Sequence, residues 1–205
     1  ATRDGRTVIE YDLNTCSIIW QYGDGTSGNA INQLVWPYDA AKLNDGNILI
    51  ADKNGYRVFI VRYSDYDPLA PNNGFTEDSI IWQYGVAGVS GSAINYLSNI
   101  EAANETSTGN ILISDRANAK AIEIRRTDYN TSEPNNGFTE DSIVWQYGGT
   151  YGTGFNQLSG FNTAIRNEFN TTLIADNYNA RVIEVCYPIN TTATYTSPLY
   201  DNGDN

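Results

Sequence analysis

Apolar residues in this chain gather in short runs such as Ile48 to Ala51, separated by polar clusters of the type Asn-Asp-Gly, Lys-Asn-Gly and Asn-Asn-Gly. The runs are rich in Ile, Val, Leu, Tyr and Trp, which favour strands, and the Gly of each cluster can take the positive φ of a tight turn. Helical periodicity is absent. One stretch predicts four successive strands: around Tyr38 to Leu43, from Asn47 to Ala51, from Arg57 to Val61 and from Ser79 to Tyr84.

The pattern then returns. Ile18-Ile-Trp-Gln-Tyr-Gly23 recurs as Ile80-Ile-Trp-Gln-Tyr-Gly85 and Ile143-Val-Trp-Gln-Tyr-Gly148, so that Trp20, Trp82 and Trp145 are spaced by 62 and 63 residues. A second block recurs in step, as Gly46-Asn-Ile-Leu-Ile-Ala-Asp52 with Arg57-Val-Phe-Ile-Val61, Gly109-Asn-Ile-Leu-Ile-Ser-Asp115 with Ala121-Ile-Glu-Ile124, and Thr172-Leu-Ile-Ala-Asp176 with Arg181-Val-Ile-Glu-Val185. Four-stranded units repeated along one chain predict an all-β fold, a β-propeller of antiparallel blades packed face to face. Residues 1–205 then form a single propeller with a half-blade at 6–23, blades at 36–85 and 97–148, a partial blade at 161–186 and a tail at 187–205. The repeated Trp and the Ile-Leu-Ile segments are predicted to be core between blades. A last strand from Ala193 to Tyr200 is suggested but opposed by Pro198, which cannot donate to a ladder.

At these residues the chain resembles the NHL-type propeller family. The family pattern of a Pro before a strand, then Gly-Asn-hydrophobic-Ala-Asp and Arg-Val, is carried by Leu34-Val-Trp-Pro37, Gly46 to Asp52 and Tyr56-Arg-Val58, and again by Leu173 to Val182. The middle copy departs, with Ala119-Lys-Ala121 where Arg-Val is expected and Asn99-Ile-Glu101 where Pro stands in the first. The resemblance implies the propeller fold. The lyases and transferases among similar propellers depend on His, and this chain has none.

About three and a half blades do not close a ring, and the third strand of a blade is supplied twice, by Thr7 to Tyr11 and by Arg181 to Val185. Unpaired edges at both ends leave three readings: a ring completed by another chain, an end-to-end polymer, or a piece of a larger propeller.

Charge narrows the partners. Twelve basic against 24 acidic residues give a net charge of −12, which disfavours nucleic acid. No apolar run is long enough for a membrane-spanning helix. Ala1 in place of an initiator Met suggests a processed, secreted or cell-surface chain, or a fragment. In that setting Cys16, just before a fourth strand, and Cys186, just after a third, would be neighbours in one blade and are expected to form a disulfide within or between chains. Candidate glycan acceptors are Asn14, followed by Thr15-Cys16, and Asn104, Asn130, Asn170 and Asn190, each in an Asn-x-Ser/Thr triplet.

No cofactor is implied, although one loop allows calcium. The segment from Tyr66 to Asp78 is nearly duplicated from Tyr129 to Asp141, and both contain Pro-Asn-Asn-Gly-Phe-Thr-Glu-Asp. Its carboxylates Asp65, Asp67, Glu77 and Asp78, with Asp128, Glu133, Glu140 and Asp141, are hard oxygen ligands. The loop reads first as a solvated, duplicated turn. Tyr22, Tyr84 and Tyr147 are candidates for a sugar-binding surface, with packing between blades as the leading reading, and Trp36 stands outside the repeated positions as a further candidate. Asp52, Asp115 and Asp176 recur in every copy, which fits a structural turn better than a catalytic centre. With no nucleophile elbow, phosphate loop or Cys-His pair, the expected function is non-enzymatic: a secreted structural or interaction propeller that self-associates, with a glycan- or peptide-binding module as the alternative.

Overall fold

The structure, a computed structural model, describes residues 5–186. The suggested strand from Ala193 to Tyr200 lies outside them. Thirteen strands form four antiparallel meanders among the described residues. Strands β1 (Val8–Asp12) and β2 (Ser17–Tyr22) make a two-stranded sheet. Strands β3 (Pro37–Lys42), β4 (Ile48–Asp52), β5 (Arg57–Val61) and β6 (Ile80–Tyr84) make the second sheet. Strands β7 (Ile100–Glu105), β8 (Ile111–Asp115), β9 (Lys120–Ile124) and β10 (Ile143–Gly148) make the third. The fourth has β11 (Thr163–Arg166), β12 (Thr171–Asp176) and β13 (Arg181–Cys186). The architecture is that of a partial propeller.

Each sheet presents apolar residues on both faces because alternate positions along a strand point opposite ways. Leu49, Ala51, Val58, Ile60, Trp82 and Tyr84 of the second sheet pack against Ala103, Ile111, Ile113, Ile122 and Ile124 of the third. Between the third and fourth sheets the same places hold Leu112, Ala121, Trp145 and Tyr147 against Ala164, Ile174 and Ile183. The first sheet contributes Val8, Trp20 and Tyr22 to the core with Ile48, Ile50, Phe59 and Val61. Turn chemistry fits these joints. Gly85 has φ +98°, and a Cβ there would lie 2.3 Å from the Tyr56 carbonyl oxygen, so the residue after each Trp-Gln-Tyr must be Gly.

The duplicated loop departs from its reading as a solvated turn. Asn72 and Asn73 take left-handed φ values of 53° and 56°, conformations Asn tolerates, and turn the chain so that Phe75 is buried. Phe75 meets Trp20 of the preceding sheet edge to face with centroids 5.8 Å apart, and Phe138 meets Trp82 likewise at 5.9 Å. The loop is therefore a clamp that reaches back over one blade.

Two polar interlocks repeat with the sheets. The buried carboxylate of Asp52 accepts the Trp36 N–H at 2.7 Å, that of Asp115 the Ser98 N–H at 2.9 Å, and that of Asp176 the Ser159 N–H at 2.7 Å. Each ties the loop entering a sheet to the end of that sheet's second strand. The second interlock joins Asn32, Asn95 and Asn156 to the Trp-Gln-Tyr-Gly segment. Their Oδ1 atoms accept the N–H groups of Gly23, Gly85 and Gly148, and their own N–H groups donate to the hydroxyls of Tyr22, Tyr84 and Tyr147.

Two measurements check these roles. Phe138→Ala should cost about 3–5 kcal/mol in urea unfolding, the usual loss for a buried Phe, whereas a solvated turn would lose almost nothing. Burial pushes the Asp115 carboxyl up to about 6, outweighing the hydrogen bonds from Asn118 and Ser98, and burial also raises Asp52. Between pH 4 and 6, roughly, the folded state then holds protons that the unfolded chain has lost, so stability falls as pH rises through this window. Melting temperature should increase from pH 7 to about pH 5, and Asp115→Asn should flatten that increase.

Candidate functional site

The aromatic candidates separate at once. Tyr22, Tyr84 and Tyr147 are buried, and their hydroxyls accept the Asn interlock bonds described above. Burial pushes the Tyr84 phenol up to about 12. A ligand on the surface cannot reach them, which corrects their candidacy as a sugar-binding face. Trp36 is half-buried, with its backbone N–H given to Asp52 and its carbonyl accepting the Lys53 N–H.

The acidic loop residues are spread out rather than convergent. Asp65 pairs with Arg62 at 3.0 Å, Asp67 accepts the Leu69 N–H, and Asp128 takes both Arg125 at 3.2 Å and the Ser142 hydroxyl at 2.7 Å. Glu77 and Asp78, and likewise Glu140 and Asp141, occupy the first turns of short 3-10 segments. Glu133 stands at the N-cap before Pro134, and its side chain makes no capping hydrogen bond there. Among the described residues no group of three or more carboxylates, thiols or imidazoles converges as a metal would require.

Of the glycan candidates, Asn14 lies in the exposed β1–β2 turn, Asn130 in an exposed loop and Asn170, with φ 63°, in the exposed β11–β12 turn. Asn104 is different, because its side-chain amide donates to the Ala164 carbonyl across the joint between the third and fourth sheets. A glycan on Asn104 would break that joint. Asn190 lies outside the described residues. The two cysteines do not meet within one chain: Cys16 sits in the β1–β2 turn, Cys186 ends β13, and both thiols are free and exposed. The reason is that β2 keeps its own partner β1 and packs on the second sheet, so it does not join the fourth.

What the sequence did not reveal is the chemistry at the two ends of the stack. Leu49 and Leu112 are 1% exposed because the next sheet covers them, whereas Leu173, at the same place in the repeat, is 42% exposed. Val182, at the place of Val58 and Ala121, is 58% exposed, and Ile165, paired with Leu173, is exposed as well. At the other end a cleft of about 170 Å³ opens next to β1, lined by Val8, Glu10, Trp20, Ala40, Lys42 and Ile48. Ala40 and Ile48 occupy the places of Ala103 and Ile111, which lie in one core cluster with Leu49 in the interior joint. By repeat position, the Leu left open at one end corresponds to one that is buried in the interior joint with the counterparts of the residues lining the cleft at the other end.

Charge follows the same rule. In the joint between the third and fourth sheets, Arg166 of β11 pairs with Glu123 of β9 at 2.8 Å. In the first joint Lys42 of β3 pairs with Glu10 of β1 at 2.9 Å. Glu184 of β13 holds the place of Glu10 and Glu123 and is exposed.

No protein-family model matches the chain, and no curated protein sequence matches it significantly. Solved structures do. A catalytically inactive variant of virginiamycin B lyase from Staphylococcus aureus, determined with quinupristin, aligns over 90% of this chain and 50% of its own with 13% identity and a TM-score of 0.50. An auxiliary nutrient binding protein from Bacteroides thetaiotaomicron aligns over 89% of this chain and 43% of its own, with 12% identity and a TM-score of 0.51. At these identities the likeness shows the propeller fold alone. The chain spans about half the length of the structures it matches.

Proposed function

We propose that this chain is a non-enzymatic, secreted or cell-surface propeller module of NHL-like type whose work is to associate head to tail with further copies of itself by strand complementation. One observation carries the reading: β13 duplicates β1. The two strands share Val-Ile-Glu, as Val8-Ile9-Glu10 and Val182-Ile183-Glu184, at the same places in the repeat. When β13 of one copy takes the place of β1 beside β2 of the next, Val182 replaces Val8 against the second sheet and Glu184 replaces Glu10 against Lys42. Leu173 then enters the cleft lined by Ala40 and Ile48.

The cysteines acquire a role in the same arrangement. In the two complete blades the N–H that follows the third strand donates to the carbonyl of the Ser just before the fourth, Arg62 to Ser79 and Arg125 to Ser142, each at 2.8 Å. By repeat position Cys186 stands at Arg62 and Ser17 at Ser79. A shared blade therefore sets Cys186 of one copy beside Cys16 of the next, within reach of an interchain disulfide. Head-to-tail joints of this kind close into a ring or run on as a filament, depending on the rotation between copies. The absence of His removes the usual general base, and the likeness to a lyase, being one of fold, supplies no chemistry to this chain.

Light scattering after size exclusion, with electron microscopy, should find discrete rings or filaments. Mild oxidation should trap Cys16–Cys186 links between chains, and Cys16→Ser should abolish them. Leu173→Glu should shift the population towards monomer by about tenfold or more in dissociation constant, with an unchanged circular dichroism spectrum. A wild-type chain that remains monomeric at every concentration and forms no such links overturns the proposal.

A further inference from the structure

Among the positions at which the three copies of the repeat differ, the one that begins the third strand opens a site. Arg57 and Arg181 each donate from the guanidinium to the loop above their sheet. Arg57 donates to the Gln33 carbonyl at 3.0 Å, and Arg181 donates to the carbonyls of Thr153 at 2.6 Å and Gln157 at 2.9 Å while pairing with Asp176 at 2.8 Å. The middle copy has Lys120, whose ammonium makes one hydrogen bond among the described residues, a 3.2 Å contact to the Ser92 carbonyl. A point charge on a narrow stem thus stands where a planar five-donor group fills space in the other two copies. Lys120 is buried, with 7% of its surface exposed.

A polar cleft of about 450 Å³ lies beside it, lined by Ser92, Asn118, Lys120, Gln146, Gly149 and Tyr151. Lys120 is the charged side chain in this lining, on a protein whose net charge is −12. The remaining groups offer mainly acceptors. The Tyr151 hydroxyl donates to the Ala117 carbonyl, leaving its oxygen as an acceptor. The amide nitrogens of Asn118 and Gln146 are engaged by Gly91, Asp115 and Gly148, so their oxygens remain for a ligand.

We infer that this cleft binds a small hydroxylated carboxylate, a sugar acid of the uronate class, with the carboxylate on the Lys120 ammonium and ligand hydroxyls donating to Asn118, Gln146 and Tyr151. The size of the cleft suits one sugar ring, and one cation with several neutral acceptors is the complement of one anion with several hydroxyls. The site lies on the loop side of the third sheet, away from the strand edges invoked for self-association, and does not depend on that association.

Titration calorimetry of the full chain with glucuronate, glucose and acetate tests the inference. Glucuronate should bind and raise the melting temperature, while glucose and acetate should each bind about tenfold more weakly or worse, since each lacks half of the complement. Lys120→Arg should restore the arrangement of the other copies, fill the cleft and abolish glucuronate binding while retaining the wild-type circular dichroism spectrum. Tyr151→Phe, at an exposed ring, provides a second variant and should weaken glucuronate without affecting folding. No heat with glucuronate, equal binding of glucose, or undiminished binding in Lys120→Arg overturns the assignment.

Discussion

Each sheet here carries apolar side chains on both faces, and a sheet of two to four strands cannot cover either face by itself. Face-to-face stacking is therefore the interaction from which the other features follow. It explains why Leu49 and Leu112 can be buried at all, why Trp20 and Trp82, each on the outer strand of its sheet, pack with residues of the next, and why the loop carrying Phe75 or Phe138 reaches backwards. Burying a Leu, Ile or Phe side chain in such a joint is worth roughly 1.5–3 kcal/mol, so a few per joint decide whether a blade stays on the stack. The constraint also marks the ends, where the residues that the rule requires to be covered are the ones left open.

Polar residues fix where the apolar faces lie. Buried Asp52, Asp115 and Asp176 are costly in charged form, which is why Asp115 titrates high, yet each supplies the acceptor that a loop N–H would otherwise lack inside the protein. Glu101 shows the opposite balance. Burial would raise its carboxyl, but Lys53 of the second sheet at 2.7 Å and Arg116 at 2.8 Å hold it below the ordinary range and bind two sheets through one anion. Specific interactions of this kind select one rotation between sheets among the many that greasy faces alone would allow.

The propeller was legible because the hydrophobic period and the Gly-bearing turns recur in register, and a register error would expose a whole face. Other parts were hidden for physical reasons. Asn95 is followed by Tyr96 where the other copies have Gln, so the Asn interlock did not stand out as a threefold motif, although all three asparagines bond alike. Phe75 and Phe138 sit next to Pro-Asn-Asn-Gly, a turn signature that says nothing about what the following side chain meets across the molecule. The tyrosines of Trp-Gln-Tyr were ambiguous because aromatic rings suit both packing and sugar binding, and burial alone separates the two. The departure at Ala119-Lys-Ala121 was visible, but its consequence depends on what an arginine does at the same place elsewhere, which only the geometry supplies.

The duplication of β1 by β13 changes the energetics expected of self-association. A strand that joins another copy ordinarily forms new ladder bonds at the cost of ordering a free edge, but in the proposed joint one β strand would replace another of nearly the same sequence. The Val8 contact would be exchanged for that of Val182, and the Glu10–Lys42 pair for Glu184–Lys42, so these terms would nearly cancel. The net gain would then come from burying surface that the single chain exposes, chiefly Leu173, Ile165 and the face around them. Complete burial of one Leu is worth roughly 1.5–3 kcal/mol, so a face of a few such residues would yield a joint that is stable yet exchangeable. An interchain Cys16–Cys186 bond would make the same joint permanent by removing the route by which β1 returns. Redox conditions, rather than packing strength, would then decide whether copies of this chain remain interchangeable or become locked together.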